Sequence, residues 1–102
     1  EAAARVEVAP AVMAYLVDIC RATRTSPAVR LGVSPRGATA LLRTSRAWAF
    51  LQGRGFVTPD DVKTMAPSTL AHRLGLRTEA NLEGITAVNV ISTVLAATPV
   101  PR

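Results

Sequence analysis

The stretch Gly32-Val33-Ser34-Pro35-Arg36-Gly37-Ala38 decides where the main helix of this 102-residue chain begins. Ser34 is a favourable N-cap, and Pro35 suits the first helical position because its missing N–H is not needed there. Arg36 then places a cation in the first turn, where the positive end of the helix dipole disfavours it by about 0.3–1 kcal/mol. Free N–H groups, the dipole and a guanidinium thus meet at one point, which predicts a site for a phosphate.

A second helix start in the same chain provides a comparison. Thr58-Pro59-Asp60-Asp61 repeats the hydroxyl–proline opening but continues with two acids, and Asp61 lies three residues after Thr58, as in a capping box. This start has the charge that the dipole prefers, so the contrast singles out Arg36. The alternative interpretation is that Arg36 extends into solvent, where salt screens the small cost.

The composition indicates one small domain over residues 1–102, with 49% hydrophobic residues and a net charge of +5. No apolar run approaches the roughly 18 residues of a membrane span. The start Glu1–Arg5 lacks the layout of a signal peptide and is typical of a cut end inside a longer protein. Cys20 is the only cysteine, which favours the reducing cytoplasm, and we interpret it as a core residue. His72 is the only histidine, so we expect no metal site.

Hydrophobic periodicity predicts an all-α bundle of about four helices. The predicted helices cover residues 10–24, 35–52, 59–66 with 68–74, and 84–97. Pro67 is expected to break or kink the third, and a short extended segment is expected near residues 76–78. The fourth segment is rich in Ile and Val and is compatible with a strand, although its length favours a helix. Thr98 to Pro101 should be an extended tail.

The predicted core comes from the apolar stripe of each helix. Its members are Val12, Met13, Leu16, Ile19, Cys20 and Thr23 in the first helix, Ala38, Leu41, Leu42, Ser45, Trp48 and Ala49 in the second, Val62, Met65 and Ala66 in the third, and Val88, Ile91, Val94 and Leu95 in the fourth. Arg36, Arg43 and Ala47 fall on the opposite face of the second helix, so Arg36 should point outward. Arg43 lies about two turns further on, which we expect to be too far to reach the same phosphate.

Several blocks of the sequence resemble the C-terminal lid domain of MoxR-type AAA+ ATPases. The blocks are Leu31 to Gly37, Ala40 to Arg43, Ala47-Trp48-Ala49, Gly53 to Val62 and Leu70 to Leu74, and the flanking Ala22-Thr23-Arg24 and Glu79-Ala80 also fit. The resemblance extends from about Val8 to Pro101. The sequence departs from the family pattern at Gly37, where Ala is common, and at Val33, where a small residue is common.

The resemblance implies that Arg36 is the sensor 2 arginine, a catalytic residue that acts only in the full-length context. Ser34, Pro35 and Arg36 would then form the nucleotide-binding part of the lid. The parent ATPase would use ATP and Mg²⁺, and this fragment alone would bind neither, since it lacks Walker A and Walker B motifs. The implied partners are the AAA+ core domain of the same chain and neighbouring subunits of a hexameric ring. The resemblance further implies a chaperone-like machine that has proteins with von Willebrand A domains among its partners.

Two other functions remain open from the residues alone. One is a stand-alone basic module that binds DNA through the second helix, with Arg36, Arg43 and Arg46 on phosphates. Gly37 and Ala38 argue against it, because a recognition helix usually presents polar residues in its first turn to read bases. We therefore expect no specific nucleic-acid partner. The other alternative is a protein-interaction domain whose arginines are merely solvated.

Overall fold

Five α-helices and a two-stranded antiparallel sheet make up residues 2–101, the part of the chain that this computed structural model describes. The helices are α1 Pro10–Thr25, α2 Pro35–Leu51, α3 Pro59–Leu70, α4 Thr78–Leu82 and α5 Ala87–Ala97. The strands are β1 Val29–Leu31 and β2 Gly75–Leu76, and 3₁₀ turns lie at Ala2–Arg5 and Ala71–Arg73. The predicted all-α class is confirmed, because the sheet consists of only two short strands and the remaining elements are helical.

Helix α2 is the central element, and both of its ends follow from the sequence. Ser34 is the N-cap, and its side chain accepts a hydrogen bond from the N–H of Gly37 at 3.4 Å. At the other end Gly53 adopts φ 78°, which a residue with a side chain rarely does. The N–H groups of Gly53 and Arg54 donate to Phe50 and Ala49 carbonyls at 2.9 and 3.0 Å. This paired pattern is a Schellman motif, and it stops the helix at Leu51, one residue before the predicted end.

Helix α3 begins with the predicted capping box. The Thr58 hydroxyl accepts the N–H of Asp61 at 3.2 Å, and the Asp61 carboxylate accepts the N–H of Thr58 at 2.7 Å. Of the two outcomes predicted at Pro67, the break is wrong, because α3 continues through it to Leu70, and the kink stays a prediction. Proline removes one backbone hydrogen bond, and the continuous buried face of Val62, Ala66 and Leu70 keeps the helix on the core.

The predicted helical segment 68–74 is therefore divided differently. Its first residues end α3, and a 3₁₀ turn at Ala71–Arg73 leads into β2. The extended segment expected at residues 76–78 is β2 at Gly75–Leu76, and residue 78 already begins α4, which the sequence did not predict. Strand β1 was also missed. It pairs with β2, with Val29 opposite Leu76 and Leu31 opposite Gly75.

The last predicted segment, residues 84–97, is a helix and not a strand, and it starts later than predicted. Gly84 adopts φ 82°, and α5 begins only at Ala87. Thr86 is its N-cap and forms a second reciprocal capping box, since Thr86 and Asn89 each accept the other's backbone N–H at 3.1 Å. Two reciprocal bonds fix the helix start at residue 87.

The core lies between α1, α2, α3 and α5. Its buried apolar residues include Leu16, Ile19, Leu41, Val62, Leu70 and Ile91. Cys20 is in this cluster, as predicted, and burial raises the pKa of its thiol from 9.0 to about 11. Tyr15 was missed, although it is 1% exposed.

Three predicted core residues, Met13, Trp48 and Val88, lie outside the core cluster. Trp48 is only half-buried, because it falls at the edge of the α2 stripe beside the loop before α3. Val88 is exposed, and Val90 takes its place in the core because α5 is rotated relative to the predicted stripe.

No helix within residues 2–101 is long and apolar enough to cross a membrane.

Candidate functional site

The predicted site residues Ser34, Pro35 and Arg36 lie together at the N-terminus of α2, and all three are exposed. Arg43 and Ala47 are exposed as well, which confirms the predicted outward face of the helix. The Ser34 hydroxyl is used as the cap, and Thr39 donates to the Pro35 carbonyl at 3.1 Å. Arg36 is left as the charged group at the start of the helix.

The loop before α2 is held by the last turn of α1 through both backbone groups of Val33. The Val33 N–H donates to the buried hydroxyl of Thr23 at 3.0 Å, and that hydroxyl donates in turn to the Cys20 carbonyl at 2.6 Å. The Arg24 guanidinium donates to the Val33 carbonyl at 3.2 and 3.3 Å. These bonds fix the residue directly before the cap, and so fix the direction in which α2 presents its first turn.

Gly32 completes this attachment. A Cβ on Gly32 would lie 2.9–3.0 Å from the Arg24 backbone, closer than real Cβ atoms come to a neighbouring chain. The loop therefore passes directly against the backbone of α1, which only a glycine allows at this position. The first turn of α2 is attached to α1 by close backbone packing as well as by hydrogen bonds.

Arg36 faces a shallow depression that a second arginine reaches from another part of the chain. Arg73 comes from the 3₁₀ turn after α3, and its Cδ lies 3.3 Å from where a Cβ of Gly37 would be. The stem of Arg73 thus crosses the first turn of α2. The lining residues are Pro35, Arg36, Thr39, Ala40, Arg43 and Arg73. Arg43 borders the same depression from further along α2, and that it is too far along the helix to reach the same phosphate as Arg36 stays a prediction.

The depression is strongly positive, and no carboxylate among residues 2–101 lines it. Within residues 2–101, none of Arg36, Arg43 and Arg73 forms an ion pair, whereas Arg54 pairs with the buried carboxylate of Asp61. Like charges at one depression repel one another, and an anion would relieve that repulsion. A polyphosphate is the anion that suits guanidinium groups at the positive end of a helix dipole.

The donor set fits phosphate and does not fit a metal ion. The lining consists of arginine, proline, threonine and alanine, with no carboxylate. Among residues 2–101 no three His, Cys, Asp or Glu side chains come together as a metal site. Mg²⁺ prefers oxygen ligands, carboxylates above all. This chain could therefore contact the phosphates of a nucleotide, and a magnesium ion would need ligands from outside it.

Sequence reasoning missed the roles of Thr23, Arg24 and Arg73 at this site. A signal for Thr23 was present, because a hydroxyl within an apolar stripe must find a buried partner. Arg24 gave no signal, since its acceptor is a backbone carbonyl nine residues away. Arg73 could not be placed because α3 was predicted to end at Pro67, which changed the path of the chain into the turn.

Comparisons with known proteins agree with this architecture. Residues 21–94 match the family model described as an AAA lid domain. YeaC of Bacillus subtilis, an uncharacterized protein, is 46% identical over 87 residues, which cover 85% of this chain and 27% of YeaC. Protein MoxR of Paracoccus denitrificans is 35% identical over 90% of this chain and 31% of its own length. Chaperone MoxR1 of Mycobacterium tuberculosis is 35% identical over 72% of this chain and 20% of its own length.

A solved structure gives the same result at the level of the fold. The crystal structure of a candidate ATPase from Cytophaga hutchinsonii superposes with a TM-score of 0.92 and 28% sequence identity, over 99% of this chain and 33% of that one. The chain thus spans about a fifth to a third of the length of the relatives it matches. The match of the AAA lid model over most of the chain, together with the MoxR relatives, shows that the chain belongs to the AAA lid family, as the C-terminal lid of a MoxR-type AAA+ ATPase.

Proposed function

We propose that this lid closes over ATP bound to a preceding ATPase domain and supplies Arg36 as the sensor 2 arginine. The observation that carries the proposal is the exposed Arg36 in the first turn of a capped, proline-initiated helix, beside a depression whose arginines have no acidic partner in residues 2–101. Such a group can contact the terminal phosphate where charge develops during hydrolysis, and there a preorganised donor can contribute several kcal/mol.

The proposal accounts for the position of the arginine. Without an anion, Arg36 is disfavoured by the helix dipole by about 0.3–1 kcal/mol. With a phosphate in place, the guanidinium of Arg36, its own backbone N–H and the positive end of the helix dipole face the same negative charge. The attachment of Val33 to Thr23 and Arg24 keeps this arrangement in position before the nucleotide arrives, so little ordering would be needed at the moment of reaction.

The activity itself would belong to the longer protein. ATP and Mg²⁺ would be bound mainly by the AAA+ core domain, the first partner of the lid, and the isolated chain would not hydrolyse ATP. We further propose that the longer protein forms a hexameric ring in which the lid contacts a neighbouring subunit. It would act as a chaperone on partner complexes, with proteins that carry von Willebrand A domains among them. We also propose a cytoplasmic location. The relative named Chaperone MoxR1 supports the chaperone-like role, and the free Cys20 is compatible with the location.

Hydrogen exchange on the full-length protein tests the placement of the nucleotide. Peptides that cover residues 33–43 should exchange more slowly when MgATPγS is added, because the Arg36 N–H becomes a donor to phosphate and contact with the nucleotide restrains the start of α2. Peptides from α5, residues 87–97, provide the control and should be unchanged. If residues 33–43 exchange at the same rate with and without nucleotide, while the core domain shows that nucleotide is bound, the proposal is wrong.

A further inference from the structure

The side chain of Arg73 extends from its own 3₁₀ turn across a different element, helix α2. It ends the 3₁₀ turn Ala71–Arg73, directly after Leu70, which is fully buried. A hydrogen bond of 2.9 Å between the hydroxyls of Thr44 and Thr69 joins α2 to α3 just before this turn. The base of the Arg73 side chain is therefore held by the core, while its stem lies across α2.

The missing side chain of Gly37 leaves room for this crossing. The Arg73 Cδ lies 3.3 Å from the position that a Cβ of residue 37 would occupy, which is tighter than most real Cβ contacts. Arg73 thereby reaches the depression that Arg36 and Arg43 line from the helix. Two arginines that are distant in the sequence, residues 36 and 73, border one surface from two elements.

We propose that Arg73 is a second phosphate-binding residue of this site and acts beside Arg36 on the bound nucleotide. The inference rests on the proposed function, and it adds a contact that the first turn of α2 alone does not provide. Within residues 2–101 neither arginine has a carboxylate partner. Two guanidinium groups from different elements can hold a polyphosphate from two directions, which a single arginine cannot do.

The test is the affinity of the full-length protein for MgATPγS, measured by calorimetric titration. Arg73→Ala should weaken binding about tenfold, which is the loss of one charge-assisted contact of about 1.4 kcal/mol. Arg73→Lys should recover part of the affinity because it keeps the charge. Arg21→Ala is the matched control and should bind like the wild type, since Arg21 is exposed on α1 and is not among the residues that line the depression.

The outcomes separate this inference from the proposed function. If Arg36→Ala weakens binding and Arg73→Ala stays within twofold of wild type, the role of Arg73 is refuted and that of Arg36 stands. If neither change weakens binding, both are refuted. If Arg73→Ala and Arg73→Lys lose affinity equally and both lower the melting temperature of the lid, Arg73 acts through the fold and the inference is wrong.

Discussion

Val33 fills the space that a side chain on Gly37 would need. A Cβ on Gly37 would overlap with Cγ1 of Val33, which is itself fully buried. The valine at position 33 and the glycine at position 37 therefore fit together at the start of α2.

We predict that the two positions are coupled in stability. Gly37→Ala alone should destabilise the chain by about 1–3 kcal/mol through overpacking, even though alanine favours the helix. Val33→Ala alone should cost about 2 kcal/mol because it leaves a cavity. The double variant should be more stable than the sum of the two effects predicts, by at least about 1 kcal/mol. Urea denaturation of the four proteins measures this coupling, and strictly additive values would contradict it.

The burial of Leu41 and Trp48 predicts that truncating the smaller leucine destabilises the chain more than truncating the larger tryptophan. Leu41 is fully buried at the centre of α2, so Leu41→Ala should cost about 2–5 kcal/mol. Trp48 is half-buried, so Trp48→Ala should cost only about 1–2 kcal/mol, below the 3–5 kcal/mol expected for a core tryptophan. Denaturation followed by circular dichroism compares them, and a larger loss for the tryptophan variant would show that the ring is more buried than the structure indicates.

The buried thiol of Cys20 predicts a loss of stability in alkali. Burial raises its pKa from 9.0 to about 11, so the unfolded chain releases this proton first as the pH rises. The contribution of the thiol is therefore constant below about pH 9 and is lost between pH 9 and 11. Burial also raises the pKa of Tyr15, and the nearby Asp60 adds to that shift, so Tyr15 acts in the same direction.

The Cys20→Ala variant separates the contribution of the Cys20 thiol to the alkaline loss of stability from that of Tyr15. The free energy of unfolding of wild type should fall more steeply between pH 9 and 10.5 than that of the alanine variant, and the two slopes should agree below pH 8.5. Parallel curves across the whole range would mean that the thiol is accessible in the folded state.

The hydrogen bond from Val33 to Thr23 predicts that a hydroxyl is required at position 23. Thr23→Val keeps the shape but leaves the Val33 N–H without its buried acceptor, which should cost about 1–3 kcal/mol. Thr23→Ser retains the hydroxyl and should recover most of that loss. Thermal melting of both variants measures the difference, and equal melting temperatures would show that the hydroxyl is dispensable.

Local signals in the sequence were enough for much of the fold. Ser34 and Thr58, each followed by proline, predicted two helix starts correctly, and Gly53 predicted the end of α2. These features depend on hydrogen bonds within a few residues. The outward direction of Arg36 followed from the helical period in the same way.

Contacts between distant residues could not be predicted from the sequence. Strand β1 exists because it pairs with β2, and three residues carry no periodicity of their own. Helix α3 continues through Pro67 because Leu70 packs into the core, which local propensity does not reveal. The place of Arg73 at the site depends on that continuation, so it was missed as well.

The central claim is that Arg36 acts on the nucleotide and does not hold the lid together. Arg36→Ala should leave the fold of the 102-residue chain intact and leave its melting temperature unchanged or slightly higher, because a cation leaves the positive end of the dipole. Arg21→Ala, on the exposed face of α1, is the matched control for the loss of one positive charge.

The most direct measurement is the steady-state ATP turnover of the full-length protein at saturating MgATP. The account predicts that Arg36→Ala lowers kcat at least about tenfold, while Arg21→Ala stays near wild type and the lid of both variants melts normally. Unchanged turnover in Arg36→Ala, or a loss of turnover that accompanies melting of the lid, would contradict the account.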